Sequence, residues 1–212
     1  MKLDKQAMLL YAVTDRSWLG TRTLVEQVEE TLKGGATFIQ LREKDLDFLD
    51  FVDEAKEIKK LTDTYQIPFV INDNVEVALA VDADGVHVGQ DDLDAGELRK
   101  RLGDKIIGVS ADTVALALKA EADGADYIGV GAIYSTATKT DAEVVDFETI
   151  AAICKSVTIP VVAIGGLNEN NILSLRGTGV DGVALVSAIF SKTDIVKATQ
   201  VLRRLSEDMV KA

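Results

Sequence analysis

Residues 34–44 read GGATFIQLREK. The Gly34-Gly35 pair marks the stop of a preceding helix, because glycine takes positive φ without a Cβ clash. The run that follows, ATFIQL, is apolar without a clean in-out alternation, which is the pattern of a strand buried on both faces. It ends in Arg42, Glu43 and Lys44. Related joints recur at 82–90 (DADGVHVGQ), 123–131 (DGADYIGVG) and 179–187 (GVDGVALVS). Val- and Ile-rich runs also occur in LLYAVTD, PFVIND, KIIGVSA and PVVAIGG, which gives eight strands. Pro68 and Pro160, in IPFV and IPVV, block helix continuation and lead into two of them.

Helix-like segments separate most of the strands. Over 23–34, Thr23 and Glu26 stand at capping-box spacing and Leu24, Val28 and Leu32 share one face. Over 46–65, Leu49, Val52, Ala55 and Ile58 do the same. Further helices are expected over 75–81, 94–102, 112–123, 146–157, 168–176 and 191–210. Strand-helix alternation implies parallel strands with right-handed crossovers. Eight units in 212 residues predict one α/β domain over 1–212, a single (β/α)8 TIM barrel. A doubly wound open sheet is the alternative, but VTDRSWLG after the first strand is not a dinucleotide fingerprint.

Composition narrows the function. The formal net charge is −12 and the pI about 4.6, which argues against nucleic-acid and membrane-surface partners. No apolar run is long enough to span a membrane, and the N-terminus carries no secretory pattern. The single Cys154 excludes an internal disulfide and a Cys-rich metal site, and its place in IAAICKSV reads as packing. A cytoplasmic protein is expected.

Polarity is unevenly distributed along the strands. The strand starts look bland, whereas the strand ends carry Thr14, Asp15, Gln40, Arg42, Lys44, Asn72, Asp73, Gln90, Asp92, Ser110, Thr136, Thr138, Lys139, Gly165, Gly166 and Ser187. In a parallel barrel these ends emerge on one face, where barrel active sites lie. Arg42 and Lys44, two residues apart, point the same way if the strand persists. With Lys139 they can hold a phosphate or diphosphate, unless they are merely solvated loop charges. Asp73 and Asp92 end neighbouring strands, about 4.8 Å apart, and can share Mg²⁺ with substrate phosphate oxygens. The competing reading makes these aspartates helix N-caps. Gly165-Gly166 and the Val186-Ser187 corner read as a phosphate cup made by backbone N–H groups and a helix start, or as plain tight turns. His87 reads as a hydrogen-bonded core residue facing the barrel interior. Trp18 and Tyr134 either wall a substrate or pack at the rim. Glu43 and Asp45 read as orienting or capping residues.

The segments YAVTD, QLREK, IND, DGVHVGQDD, GVSA, GADYIGVGAIYSTATK, PVVAIGG and VALVSAI, in this order over residues 11–189, resemble thiamine-phosphate synthases. The resemblance implies a transferase of thiamine biosynthesis that couples a hydroxymethylpyrimidine diphosphate with a thiazole phosphate and releases pyrophosphate. It places the pyrimidine diphosphate at Gln40, Leu41, Arg42, Glu43, Lys44, Asn72, Ser110 and Lys139. It places the thiazole phosphate at Thr136, Ala137, Thr138, Gly166, Val186 and Ser187, and Mg²⁺ at Asp73 and Asp92. Arg42, Lys44, Ser110 and Lys139 are then the catalytic residues. The partners are two small phosphorylated heterocycles, and a homodimer is implied. The chain departs from the usual family pattern at Ala132 and Ser135, which stand where prolines are common, so a more mobile loop is expected there. Asp146 stands in place of a common glycine. A thiazole tautomerase on the same barrel would not need QLREK, IND and TATK. A non-catalytic sensor of a phosphorylated metabolite would bind without releasing pyrophosphate.

Overall fold

A computed structural model describes residues 3–90, 94–135 and 144–211. Its eight strands are β1 (Leu10–Val13), β2 (Phe38–Leu41), β3 (Phe69–Asn72), β4 (Gly85–Val88), β5 (Ile106–Ser110), β6 (Tyr127–Val130), β7 (Val161–Ile164) and β8 (Gly182–Leu185). All pair in parallel, each with its neighbour in sequence, and β8 returns to β1, so the sheet closes into a barrel. The expected (β/α)8 architecture is what the chain forms. Helices α1 (Leu24–Lys33), α2 (Phe48–Tyr65), α3 (Val75–Ala80), α4 (Ala95–Leu102), α5 (Val114–Ala122), α6 (Phe147–Ser156), α7 (Ser187–Phe190) and α8 (Ile195–Val210) surround it.

The strands bury both faces because they separate two cores. Outward residues such as Ile39, Leu41, Ile71, Val86 and Ile128 pack beneath the helices. Inward residues, among them Tyr11, Val13, Phe38, Val70, Tyr127 and Val162, fill the barrel, with Met8 closing its floor. Thr23 and Glu26 form the expected capping box on α1. Asp47, not Asp45, caps α2, accepting from the backbone N–H groups of Leu49 and Asp50.

Three expectations change. The helix expected over 168–176 is only a 3-10 turn, Ile172–Leu175. Asn168 and Asn171 compete with a helix here: Asn171 Oδ1 accepts from Asn168 N at 2.8 Å, and Asn168 Oδ1 from Asn170 N at 2.9 Å. Second, the glycines in DADGVHV and GVDGVAL do not stop helices. At the first joint Asp82 takes the left-handed turn, with φ 52°. Gly85 and Gly182 open their strands where a Cβ would fall 1.9 Å from the carbonyl oxygens of Ile106 and Met8.

Third, the strand starts are not bland. The residue just before β2, β4, β6 and β8 accepts a hydrogen bond from the first or second N–H of the preceding strand. Thr37 takes Leu10 N (2.8 Å), Asp84 takes Phe69 N (2.8 Å), Asp126 takes Ile107 N (2.9 Å) and Asp181 takes Val161 N (2.9 Å). This ring ties the barrel floor, and it explains aspartates that contribute nothing to the mouth. Asp126 also receives Arg99 Nη2 at 2.6 Å. Asp126→Ala is expected to destabilise the fold by about 1–3 kcal/mol, because Ile107 N–H and the guanidinium lose their acceptor. Urea denaturation would read this as a lower midpoint, with Asp126→Asn less affected.

Candidate active site

The C-terminal ends of the strands enclose a cavity of about 440 Å³. Gln40, Arg42, Lys44, Asn72, Asp73 and Ser110 line one side of it, and Gly165, Gly166, Val186 and Ser187 line another. One mouth thus gathers residues that lie 147 positions apart in the chain, from Gln40 to Ser187.

Strand alternation sorts the QLREK segment. Gln40, Arg42 and Lys44 line the cavity. Leu41 turns into the outer core, and Glu43 is drawn to Arg16, whose Nε lies 3.1 Å from Glu43 Oε2. Arg16 Nη2 also binds Glu54 at 2.6 Å, and burial pushes the Glu54 carboxyl up. Glu43 is therefore an orienting residue: its side chain is 3% exposed, and its ion pair fixes the turn from which Arg42 and Lys44 project. Thr14 adds a second tie, its Oγ1 accepting from Arg42 N at 3.0 Å. Among the described residues neither Arg42 nor Lys44 makes an ion pair, while most other cations do. In a chain with a net charge of −12, two cations without carboxylate partners in a concave site leave their charge available to an anionic ligand.

Asp73 follows β3 with φ 60°, a conformation uncommon for a residue with a Cβ and concentrated at functional sites. It is not a helix cap. That role falls to Asn74, whose Oδ1 accepts from Val77 N at 3.0 Å. Asp73 instead lines the cavity, and Asn72 Nδ2 donates to its Oδ2 at 2.6 Å. A carboxylate facing a phosphate-sized site beside cations is a fitting hard-oxygen donor for Mg²⁺, which needs only one or two protein carboxylates. Among the described residues no three His, Cys, Asp or Glu side chains converge. Asp92, the second expected ligand, lies outside the described residues, as do Thr136, Ala137, Thr138 and Lys139.

Gly165 and Gly166 take φ 98° and 66°. A Cβ on Gly165 would meet Ala132 Cα at 2.7 Å, and one on Gly166 would meet the Tyr134 carbonyl oxygen at 2.8 Å. Glycine lets the loop after β7 lie against the loop after β6. Residues 132–134 are tied there by backbone bonds, Ile133 N to Ile164 O, Tyr134 N to Gly165 O and Val145 N to Ala132 O. Asp146 caps α6, accepting from Thr149 N at 2.7 Å, so the residue replacing a glycine has a structural role.

His87 is hydrogen-bonded inside the barrel, as expected, and it also reaches the cavity. Its Nδ1 lies 2.9 Å from Tyr127 Oη and its Nε2 lies 3.0 Å from Ser110 Oγ, while the ring also lines the cavity. Tyr11 and Tyr127 were not singled out from the sequence. Tyrosine in an apolar run reads as core. The available signal was the pairing of bulk with glycine across β4, β5 and β6, His87 opposite Gly108 and Gly108 opposite Tyr127. Neither Trp18 nor Tyr134 lines the cavity. Tyr134 packs at the rim, its hydroxyl 2.8 Å from Ser174 Oγ. Cys154 is half-buried and its thiol is pushed up to about 11 by burial, as expected of a packing residue.

The model of the family described as thiamine monophosphate synthase matches residues 10–189. The chain belongs to that family. As a thiamine monophosphate synthase family member it is an enzyme, a transferase of thiamine biosynthesis. It is 53% identical over 194 residues to the thiamine-phosphate synthase of Clostridium tetani, which covers 91% of this chain and 93% of the relative. It is 46% identical over 209 residues to that of Enterococcus faecalis, covering 98% and 99%. Thiamine phosphate pyrophosphorylase from Pyrococcus furiosus superposes with a TM-score of 0.90 at 41% identity, covering 97% of this chain and 98% of that one. Among the described residues no helix is long and apolar enough to cross a membrane.

Proposed function

We propose that this transferase couples a hydroxymethylpyrimidine diphosphate with a thiazole ethyl phosphate, carboxylated or not, to give thiamine phosphate and pyrophosphate. The observation that carries this reading is the pair Arg42 and Lys44, which line the cavity without carboxylate partners among the described residues and face a second, glycine-built wall. One wall suits a diphosphate, through a guanidinium fork and an ammonium point charge. The other, at Gly166, Val186 and Ser187 with Thr136–Thr138, suits the thiazole phosphate. A homodimer in the cytoplasm belongs to the same reading.

The bond between the pyrimidine methylene carbon and the diphosphate oxygen breaks first, and its electron pair leaves with the diphosphate. The electron-rich pyrimidine stabilises the carbocation. The thiazole nitrogen then gives its lone pair to that carbon and forms the new C–N bond. No protein nucleophile is required. Arg42, Lys44 and Lys139 neutralise the leaving diphosphate, Ser110 hydrogen-bonds it, Asn72 orients the pyrimidine, and the walls align the two rings. Asp73 and Asp92 would hold Mg²⁺, which supplies further charge neutralisation on the diphosphate oxygens.

The decisive test supplies both heterocycles with Mg²⁺ and measures pyrophosphate. Release only when both substrates are present is expected. Binding without release would replace the reading with a sensor, and conversion of the thiazole alone would replace it with a tautomerase.

A further inference from the structure

A continuous hydrogen-bonded chain crosses the barrel beneath the cavity. Gln40 Nε2 lies 2.5 Å from Tyr11 Oη, Tyr11 Oη 2.8 Å from Tyr127 Oη, Tyr127 Oη 2.9 Å from His87 Nδ1, and His87 Nε2 3.0 Å from Ser110 Oγ. Gln40, Tyr11, His87 and Ser110 line the cavity; Tyr127 lies below it and is fully buried. The strands are shaped around these rings. A Cβ on Gly108 would fall 2.0 Å from Tyr127 Cζ, and one on Gly129 would fall 3.2 Å from His87 Cε1.

Proton counting gives the chain a direction. The Gln40 amide nitrogen can only donate, so Tyr11 Oη accepts. The single Tyr11 proton then has Tyr127 Oη as its acceptor, the Tyr127 proton has His87 Nδ1, and His87 carries its own proton on Nε2 and donates it to Ser110 Oγ. Two results appear at the cavity. With one amide N–H given to Tyr11, Gln40 has its carbonyl oxygen to offer as an acceptor, beside its second N–H. With its oxygen accepting from His87, Ser110 presents its O–H as a donor. Reversing the chain would exchange both, so that Gln40 would offer an amide N–H₂ and Ser110 an acceptor. A mixed arrangement would strand a tyrosine proton in the core, at the desolvation cost of an unmet donor. Burial raises both phenols above the ordinary tyrosine value, so neither is a source of charge.

We propose that Gln40, Tyr11, Tyr127, His87 and Ser110 form a one-directional relay that sets the hydrogen-bonding polarity of two walls of the cavity together. Tyr11, Tyr127 and His87 are its positioning residues. The ligand it selects is a heteroaromatic ring with an amine donor facing Gln40 and an anionic acceptor facing Ser110. That matching to an aminopyrimidine diphosphate rests on the substrates proposed above; the direction of the relay does not.

The test uses the fact that His87 is the only histidine in the chain. Untagged protein labelled with ¹⁵N-histidine is observed by NMR without substrate at pH about 8.5, two units above the ordinary imidazole pKa of about 6.5. The expected result is the Nε2–H tautomer. An Nδ1–H tautomer or a doubly protonated ring would overturn the relay. Gln40→Glu keeps the side-chain shape but, once ¹³Cδ shifts show the carboxylate ionised, can only accept. The whole chain then reverses and His87 is expected to become Nδ1–H; an unchanged tautomer would refute the coupling. Should Gln40→Glu fail to fold, the wild-type tautomer decides alone. In kinetics, Tyr127→Phe, which keeps the ring, is expected to raise KM for the diphosphate about tenfold, the scale of one hydrogen bond, with kcat within about threefold. An unchanged KM with the expected tautomer would reject the substrate matching and leave the relay standing.

Discussion

Arg42→Ala is expected to lower kcat/KM for coupling by about 10²–10³-fold, the scale seen when one transition-state donor is removed from a preorganised site. In the proposed reaction the charge that develops on the leaving diphosphate is largest as the C–O bond breaks. A group that neutralises it there acts mostly on kcat. Arg42 is suited to this because nothing acidic consumes its charge among the described residues. Its neighbour Glu43 is held at 3.1 Å by Arg16, and its own backbone is held by Thr14. Arg42→Lys is expected to recover only part of the loss, since an ammonium lacks the two-pronged geometry. Arg16→Ala gives an internal comparison. It releases Glu43 toward the cations, so activity should fall although Arg16 itself does not line the cavity. Steady-state kinetics with both substrates measure all three variants. Arg42→Ala within threefold of wild type would remove Arg42 from the chemistry.

The barrel was legible because its units repeat. Eight apolar runs carry the buried pattern, and functional polar residues collect at their far ends, so the sequence itself marks the mouth. Thr23 and Glu26 announced α1 through a local pattern that the structure forms as written. Most of the misread features depend on partners distant in sequence. Gly85 and Gly182 look like helix stops, but their need is set by the carbonyls of Ile106 and Met8 across the sheet. Asp84, Asp126 and Asp181 look like loop polarity, but each answers the N–H of the preceding strand, 15, 19 and 20 residues earlier. Residues 168–176 have helical spacing, yet asparagine side chains satisfy the backbone locally and leave a single turn. Tyr11 and Tyr127 stand 116 residues apart. Their spelling is that of ordinary core residues, and only the register of β4, β5 and β6 brings Tyr127 to His87.

Chelation of divalent metal is expected to abolish coupling, with full recovery on adding excess Mg²⁺. The leaving group proposed above is a diphosphate, and Arg42 and Lys44 are the only cations that the described residues bring to the cavity. Several negative charges would remain for Lys139 and a metal to offset, and a divalent ion between carboxylate and diphosphate oxygens is the compact way to do so. In that proposal Asp73 is the carboxylate set by an unusual backbone. Its φ of 60° is stabilised by the Asp73 N to His87 O bond at 2.9 Å, and Asn74 takes over the cap of α3. Asp73→Asn keeps the size and tolerates the left-handed conformation, so it isolates the charge. It should shift half-maximal activation to at least about tenfold higher Mg²⁺, the scale of about 1.4 kcal/mol in ligand affinity, while thermal unfolding stays close to wild type. Asp92→Asn should act in the same direction. Metal titrations of initial rate read both variants. Coupling that survives exhaustive chelation would reject the Asp73 and Asp92 site and leave the neutralisation to Arg42, Lys44 and Lys139 alone.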